Sequence, residues 1–141
     1  MRLLGIDYGE KRIGLAITDP LKIFVKPFDT IDNDSIANVI EKLKLIIKTQ
    51  QIEKIILGLP VSVSGEESTK TIEVKDFYNE LLKNLDVPIN FWDERYSTVE
   101  ANEFLIKKGV NWKKSRKEID KIAAAVILKS YLDTNTKRGH Y

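Results

Sequence analysis

The sequence of 141 residues contains no cysteine and only one histidine. The absence of cysteine excludes disulfide bonds, thiolate metal sites and a cysteine nucleophile. The single histidine, His140, lies in a polar segment at the end of the sequence, which argues against a Ser-His-Asp triad and against a histidine-rich metal site. Any hydrolytic chemistry in this chain must therefore depend on carboxylates.

Long apolar runs and P-loop signatures are also missing. No stretch of about 18 apolar residues occurs, so we predict no membrane-spanning segment. No secretory signal is recognisable at the N-terminus, and we expect a cytoplasmic protein. The pattern G-x-x-x-x-G-K-S/T is absent, which excludes a P-loop NTPase. Hydrophobic residues form 43% of the sequence and charged residues 31%, which predicts one globular domain over residues 1–141 with a flexible tail at residues 134–141.

The charge is nearly balanced, but the basic residues are unevenly distributed. The formal net charge is +2, from 23 basic and 21 acidic residues, so it says little about partners. One segment combines a tryptophan with several basic side chains, namely Trp112, Lys113, Lys114, Arg116 and Lys117. A nucleobase can stack on the indole ring while the basic groups contact phosphates, although a tryptophan packed beneath a solvated charged loop explains the same residues. We predict that this segment binds nucleic acid.

Hydrophobic periodicity predicts alternating strands and helices. Short apolar runs indicate strands at about residues 2–7, 12–18, 24–31, 55–59 and 87–92, and Pro27 marks the third as an edge strand. Helical spacing indicates helices at about residues 34–49, 68–84, 97–109 and 116–132. Because the hairpin strands come first and crossover helices follow, we predict an α/β fold with a mixed five-stranded sheet flanked by helices, antiparallel in its first hairpins and then parallel.

The predicted helices have recognisable ends and inward faces. Their caps are Asp32 or Asp34 for the first helix, Ser97 with Glu100 and Gly109 for the third, and Ser115 with Glu118 for the last. The inward side chains of the first helix are Ile36, Val39, Ile40, Leu43, Ile46 and Ile47. Those of the second are Val74, Phe77, Tyr78, Leu81 and Leu82. These faces are expected to pack on the sheet.

Acidic residues stand at three places where predicted elements begin or end. Asp7 ends the first strand, Asp93 and Glu94 follow the last strand, and Asp120 lies near the start of the last helix, just before a run of alanines. Each has a simple structural explanation, because aspartate accepts hydrogen bonds from turn amides and acidic groups favour helix N-termini. However, functional groups gather at the carboxyl ends of strands in α/β sheets. We therefore expect these carboxylates to approach one another.

A cluster of carboxylates predicts a bound cation. Such groups repel one another unless they are protonated or bind a positive ion. Oxygen ligands of this kind suit Mg²⁺ or Mn²⁺. Two such ions, about 3.5–4 Å apart, can activate a water molecule and stabilise the leaving oxygen in phosphodiester hydrolysis. A carboxylate cluster of this kind can therefore support metal-dependent hydrolysis of a phosphodiester bond.

Four motifs occur in a characteristic order. They are D-x-G-x-x-R-x-G at residues 7–14, G-L-P at 58–60, D-E-R-x-S-T at 93–98 and D-x-x-A-A at 120–124. With these motifs the sequence resembles the YqgF family, also called RuvX, within the ribonuclease H-like superfamily, from the first strand to about residue 132. The resemblance implies a ribonuclease H-like fold and a divalent-metal nuclease that processes the 5′ end of precursor 16S rRNA. Holliday junction resolution is an older assignment for the same family.

The resemblance also implies roles for individual residues. By match to the family motifs, Asp7, Glu94 and Asp120 are the catalytic and metal-binding acids. Asp93 is the adjacent alternative to Glu94, because the sequence does not decide which of the two side chains points inward. Divalent Mg²⁺ or Mn²⁺ is the implied cofactor.

The sequence leaves alternatives open for the roles of Arg12 and Arg95, and for the oligomeric state and binding partners of the protein. Arg12 and Arg95 either hold phosphate oxygens or neutralise Asp7 and Glu94. A junction resolvase requires a symmetric dimer to present two active sites to a two-fold substrate, so a monomer and a homodimer are both considered. A non-catalytic RNA- or ribosome-binding factor would use the same basic surface. The expected partners are precursor rRNA, branched DNA and ribosomal particles, and no membrane.

Overall fold

The computed structural model describes residues 1–61, 68–94 and 116–138. Within these ranges, five strands form one sheet: β1 (Arg2–Asp7), β2 (Arg12–Thr18), β3 (Val25–Asp32), β4 (Ile52–Leu59) and β5 (Ile89–Asp93). The same ranges contain three helices: α1 (Ile36–Thr49), α2 (Thr69–Asn84) and α3 (Arg116–Arg138). The strand order across the sheet is β3-β2-β1-β4-β5. The predicted mixed five-stranded sheet flanked by helices is confirmed.

The strand directions bring the carboxyl ends of three strands to the same side of the sheet. β1 pairs antiparallel with β2, and β2 pairs antiparallel with β3. β4 lies between β1 and β5 and is parallel to both. The carboxyl ends of β1, β4 and β5 therefore meet at the same edge, which is where α/β proteins usually place their functional groups.

Pro27 lies on an edge strand, as the sequence predicts. Proline has no N–H to donate to a neighbouring strand, so it is tolerated at an edge or at a bulge. β3 is the first strand of the sheet, and its pairing with β2 shifts register between Leu15 and Ala16, where Ala16 faces Pro27. The strand begins and ends one residue later than predicted, at Val25 and Asp32.

The alternating side chains of the strands build two cores, one on each face of the sheet. On one face, α1 and α2 cover a core that contains Leu4, Ile6, Leu15, Leu43, Ile55, Leu57, Val74, Phe77 and Leu81. On the other face, α3 covers a smaller core that contains Leu3, Ala16, Ile56, Ile122, Ala124 and Leu128. Successive residues of a strand point to opposite faces. This explains why Leu3 and Leu4, or Ile55 and Ile56, belong to different cores.

Helix α3 lies unusually close to the backbone of β2. A Cβ atom placed on Gly14 would overlap the carbonyl oxygen of Asp120. Ala124 and Ala125 are fully buried on the same helix. Small residues on both elements allow this close approach, and the approach determines where Asp120 stands relative to the strand ends.

Several predicted boundaries and inward positions are wrong. α1 is capped by Ser35, not by Asp32 or Asp34: the Ser35 hydroxyl accepts a hydrogen bond of 3.2 Å from the Asn38 amide. Ile36 is 41% exposed because it occupies the first position of α1, before the helix reaches the sheet. Leu82 is 49% exposed, since the buried stripe of α2 is narrow and its neighbour Leu81 already fills it.

The last helix is longer than predicted. We expected it to end at Leu132, but α3 continues to Arg138. Neither glycine nor proline occurs in this stretch to stop the helix, and an ion pair of 3.2 Å between Lys129 and Asp133 supports it. In the ranges that the structure covers, none of the helices is long and apolar enough to cross a membrane. The helix predicted at residues 97–109, with its caps and the Ser115 cap, lies outside these ranges.

Candidate active site

A hydrogen-bonded pair of carboxyl groups, Asp7 and Glu94, lies at the carboxyl edge of the sheet. Asp7 is the last residue of β1, and Glu94 directly follows β5. Two carboxyl groups form such a bond only when one of them holds a proton. This contact adds to the rise in the pKa of Asp7, and it partly offsets the rise that burial causes in the pKa of Glu94.

The surroundings of this pair disfavour negative charge. Burial, followed by the negative charge of Glu94, raises the pKa of Asp7 to about 7, and Asp120 adds to the rise. Burial also raises the pKa of Glu94, and the charge of Asp93 contributes. Lys70 opposes the shift at both carboxyl groups. The site therefore holds negative charge that a bound cation would stabilise.

The structure distinguishes Glu94 from its neighbour Asp93. The Glu94 side chain lies over β4, where a Cβ atom on Gly58 would come within 2.8 Å of its Oε1 atom. The missing side chain at Gly58 thus leaves room for Glu94 to reach Asp7. Asp93 is the last residue of β5, paired with Leu59 of β4. The negative charge of Asp93 raises the pKa of Glu94, after the larger effect of burial.

Asp120 is joined to Arg12 by an ion pair. The Nε–H group of Arg12 donates to Oδ2 of Asp120 at 3.0 Å, and both side chains are partly exposed. Arg12 begins β2, which runs antiparallel to β1, so it stands at the same edge as Asp7. From the sequence, Arg12 in a purely neutralising role is expected to pair with Asp7. The observed partner is Asp120, because α3 packs directly over the start of β2.

Lys70 belongs to the site, although the sequence analysis overlooked it. It is the second residue of α2, and its positive charge lowers the pKa of both Asp7 and Glu94. The signal was present in the sequence: Lys70 precedes Val74, Phe77 and Leu81 at helical spacing, on the stripe that faces the sheet. A lysine at the end of an apolar stripe is easily mistaken for an ordinary solvated residue.

The three predicted acids, Asp7, Glu94 and Asp120, lie near one another, but they do not yet have the arrangement of ligands around a single ion. Asp7 bonds to Glu94, and the charge of Asp120 reaches Asp7. Among the residues that the structure describes, no three acidic or histidine side chains already surround a common point in the manner of metal ligands. The donors nevertheless suit a hard divalent cation, since all of them are carboxylate oxygens. Burial, together with the negative charges of Glu94 and Asp120, raises the pKa of Asp7, and a bound cation would offset these effects.

An open pocket of about 490 Å³ adjoins these carboxylates. It extends from the turn after β1 to the start of α2, and its charged and aromatic lining includes Tyr8, Lys11, Arg12, Lys70, Glu73 and Asp120. Three of the lining residues, Lys11, Arg12 and Lys70, are basic, and another three, Glu10, Glu73 and Asp120, are acidic. The basic side chains can contact an anionic group in the pocket.

The remaining predicted nucleic-acid residues fall in or near a part of the chain that is not described. Arg95, Trp112, Lys113 and Lys114 lie outside the described residues. Arg116 opens α3, and Lys117 follows it with an exposed side chain. The carbonyl of Lys117 accepts a hydrogen bond of 2.8 Å from the Thr30 hydroxyl, which ties the start of α3 to the edge strand. Nucleic-acid binding by this segment stays a prediction.

Solved structures with related folds include Holliday junction resolvases. RuvC of T. thermophilus, in complex with a Holliday junction, superposes with a TM-score of 0.64 over 96% of this chain and 97% of its own, at 12% sequence identity. The yeast mitochondrial resolvase Ydc2 superposes with a TM-score of 0.66 over 99% of this chain and 80% of its own, at 13% identity. At such low identities the likeness concerns the fold alone. The predicted ribonuclease H-like fold is confirmed.

Sequence comparisons identify the family. Two proteins named "Putative pre-16S rRNA nuclease", from Halothermothrix orenii and Endomicrobium trichonymphae, are 39% and 41% identical to this chain. The alignments cover 97% of this chain and 98% of the first relative, and 94% of this chain and 95% of the second. The family model described as "RuvX: Holliday junction resolvase" matches residues 1–134. The chain therefore belongs to the RuvX family, as its motifs predict.

Proposed function

We propose that this protein is a divalent-metal-dependent nuclease that hydrolyses phosphodiester bonds in precursor 16S rRNA, near the 5′ end of the mature sequence. The observation that carries the proposal is the placement of Asp7 and Glu94 together at the carboxyl ends of β1 and β5, within the field of Asp120. The names of the relatives from H. orenii and E. trichonymphae support the choice of substrate. The physiological setting that we propose is ribosome biogenesis in the cytoplasm, on ribosomal precursor particles.

Asp7, Glu94 and Asp120 are the residues that would hold Mg²⁺ or Mn²⁺. When bound, such an ion supplies Lewis-acid stabilisation of phosphate oxygens and lowers the pKa of a water molecule. The carboxyl group of Asp7 would have to be anionic to hold the ion, because a protonated carboxyl group is a poor ligand for a cation. Both side chains are then fully anionic at the same edge of the sheet.

Arg12 has two tasks in this proposal. Its Nε–H group holds the Asp120 carboxylate, which keeps that acid directed toward the strand ends. A guanidinium group carries four further N–H donors, and Arg12 also lines the pocket beside the acids. These donors can bind a phosphate oxygen of the substrate. Holding Asp120 and binding a phosphate oxygen are thus compatible roles for Arg12.

Cleavage of a precursor 16S rRNA fragment tests the proposal. The purified protein should process this RNA with Mg²⁺ or Mn²⁺ and should be inactive with EDTA. The Asp7→Asn protein, purified in parallel, reports any contaminating nuclease. RNA binding without metal-dependent cleavage by the wild-type protein would instead indicate a non-catalytic RNA- or ribosome-binding factor.

A Holliday junction resolvase is the second candidate function. The description of the matching family model favours it. Such an enzyme cuts two strands of a two-fold symmetric junction, so it must act as a symmetric dimer. A synthetic four-way DNA junction, assayed beside the precursor RNA under identical conditions, distinguishes the candidates. The mass in solution gives an independent answer, because a monomer at assay concentrations argues against junction resolution.

A further inference from the structure

Lys70 continues the sheet-facing stripe of α2 beyond the core. Val74, Phe77 and Leu81 are buried on one face of this helix. Lys70 lies four residues before Val74, hence one turn earlier on the same face, and its side chain is exposed. Side chains of a helix tilt toward its N-terminus, which here is the end nearest the end of β4. The stripe therefore directs a lysine toward the edge of the sheet that carries Asp7 and Glu94.

The first turn of α2 is anchored to the sheet. The Ser68 hydroxyl caps the helix by accepting a hydrogen bond of 3.2 Å from the Thr71 amide. The buried Thr71 side chain donates to the carbonyl of Pro60, directly after β4. One turn further on from Val74, the ring of Phe77 packs against Tyr8 with centroids 4.7 Å apart. Tyr8 adjoins Asp7 in sequence, so Lys70 is held at a defined position relative to the acids.

Lys70 acts on the acids across open space. Its charge lowers the pKa of Asp7 and of Glu94, yet within the described portion of the chain no ion pair or hydrogen bond of its ammonium group is found. Arg12, in contrast, is paired with Asp120. The pocket of about 490 Å³ that Lys70 and Arg12 both line provides the space between them. A side chain with this placement is available to an anionic ligand.

We propose that Lys70 is a positioning residue of the nuclease site, whose ammonium group binds a backbone phosphate of the substrate strand in the pocket between α2 and the turn after β1. This inference rests on the proposed function, since it concerns how that site receives its substrate. The phosphate bound there neighbours the scissile one. Its negative charge would otherwise be repelled by Asp7, Glu94 and Glu73, and Lys70 offsets this repulsion.

A lysine in this position affects the two ligands of the site in opposite directions. It attracts the phosphates of the substrate but repels a divalent cation at Asp7 and Glu94. Removal of its charge should weaken nucleic-acid binding by about three- to tenfold and should strengthen divalent-cation binding by a similar factor. If Lys70 merely supported the fold, its replacement would weaken the binding of both nucleic acid and the divalent cation, because both ligands need the folded site.

Three variants separate these possibilities. Lys70→Ala removes the charge, and Lys70→Arg restores it at nearly the same place. Lys83→Ala is the matched control: Lys83 lies in the last turn of the same helix and pairs with Glu80 at 3.4 Å. Thermal unfolding of each variant verifies the fold. Binding of a precursor 16S rRNA fragment is measured in EDTA over a range of salt concentrations, and Mn²⁺ binding is measured by calorimetry without RNA.

We expect Lys70→Ala to bind RNA more weakly with a salt slope smaller by about one, and to bind Mn²⁺ more tightly. Lys70→Arg should restore both properties, and Lys83→Ala should resemble the wild-type protein. RNA affinity of Lys70→Ala equal to that of Lys83→Ala would overturn the inference, as would a parallel loss of RNA and Mn²⁺ affinity. A wild-type protein that binds neither ligand would refute the proposed function itself.

Discussion

Arg12 and Asp120 form an ion pair of 3.0 Å across 108 positions of the sequence. The pair joins the start of β2 to the first turns of α3, and both of its residues line the same pocket as Lys70. It connects the basic residue of one motif with the acidic residue of another. The motifs at the two ends of the chain therefore describe one site, and the following predictions concern its parts.

The Arg12–Asp120 pair should contribute little to stability. Both side chains are about a quarter exposed, at 23% and 28%, and solvent screening limits such pairs to about 0.5–1 kcal/mol. A double-mutant cycle with Arg12→Gln and Asp120→Asn, followed by urea unfolding in EDTA, measures this coupling. Asp120→Asn should nevertheless abolish cleavage. A coupling of several kcal/mol would show that the pair serves the fold more than the site.

Asp7→Asn and Glu94→Gln should abolish cleavage while fold and RNA binding persist. Each amide keeps the shape of the acid but loses the anion that would hold the metal ion. Asp93→Asn is the matched control, and it should retain most activity because Glu94 is the side chain bonded to Asp7. Cleavage rates are measured with saturating Mg²⁺. Loss of activity in Asp93→Asn, with activity retained in Glu94→Gln, would reverse the assignment.

The metal-free protein should become less stable as the pH rises from about 4 to about 7. The pKa of Asp7 rises from 3.8 to about 7 in the folded state, so the folded protein binds more protons than the unfolded chain in this interval. The stabilisation is complete below pH 3.8 and is lost as the pH passes through 7. Unfolding in EDTA between pH 5 and pH 8 should show a loss of up to a few kcal/mol. In Asp7→Asn this contribution should vanish.

Two glycine substitutions should have different consequences. Gly14→Ala places a methyl group on the backbone of Asp120, which cannot move unless α3 shifts, so the free energy of unfolding should fall by about 3 kcal/mol or more. Gly58→Ala meets the ends of the Glu94 and Ile127 side chains, which can rotate away. This change should cost about 1–2 kcal/mol but should displace Glu94 and reduce turnover strongly. Urea unfolding and cleavage rates test both variants, and equal stability losses would contradict the distinction.

The basic segment at residues 112–117 should contribute to substrate binding and not to chemistry. Replacement of Lys113, Lys114 and Lys117 by alanine removes charges that can neutralise phosphates, so the apparent dissociation constant should rise and its salt dependence should flatten. Stacking of one base on Trp112 would add about 1–3 kcal/mol. Turnover at saturating substrate should change little if chemistry limits it. Unchanged affinity and salt slope would identify an ordinary solvated loop.

Much of the architecture follows from local sequence patterns. Local patterns indicate which side of a segment is buried: this holds for the apolar runs of β1 and β4 and for the apolar stripe of α2. The proline of β3 likewise indicates an edge strand. Each of these patterns involves only residues that are close in the sequence. The errors also have local causes. Aspartate and serine both favour helix N-caps, so the residue types alone do not select Ser35 over Asp32 or Asp34 as the cap of α1. The polar residues after Leu132 indicate a helix end, but neither glycine nor proline stops the helix there.

The composition defines which residue types are available for chemistry: carboxylates, arginines and lysines, with no cysteine and a single histidine. The four motifs identify the family to which the chain belongs. The packing of distant segments, in contrast, explains why Glu94 rather than Asp93 meets Asp7, why Arg12 pairs with Asp120, and why Lys70 faces the acids. These relationships depend on the order β1-β4-β5 and on how closely α3 packs on β2. They arise from contacts between distant segments, and no local pattern specifies them.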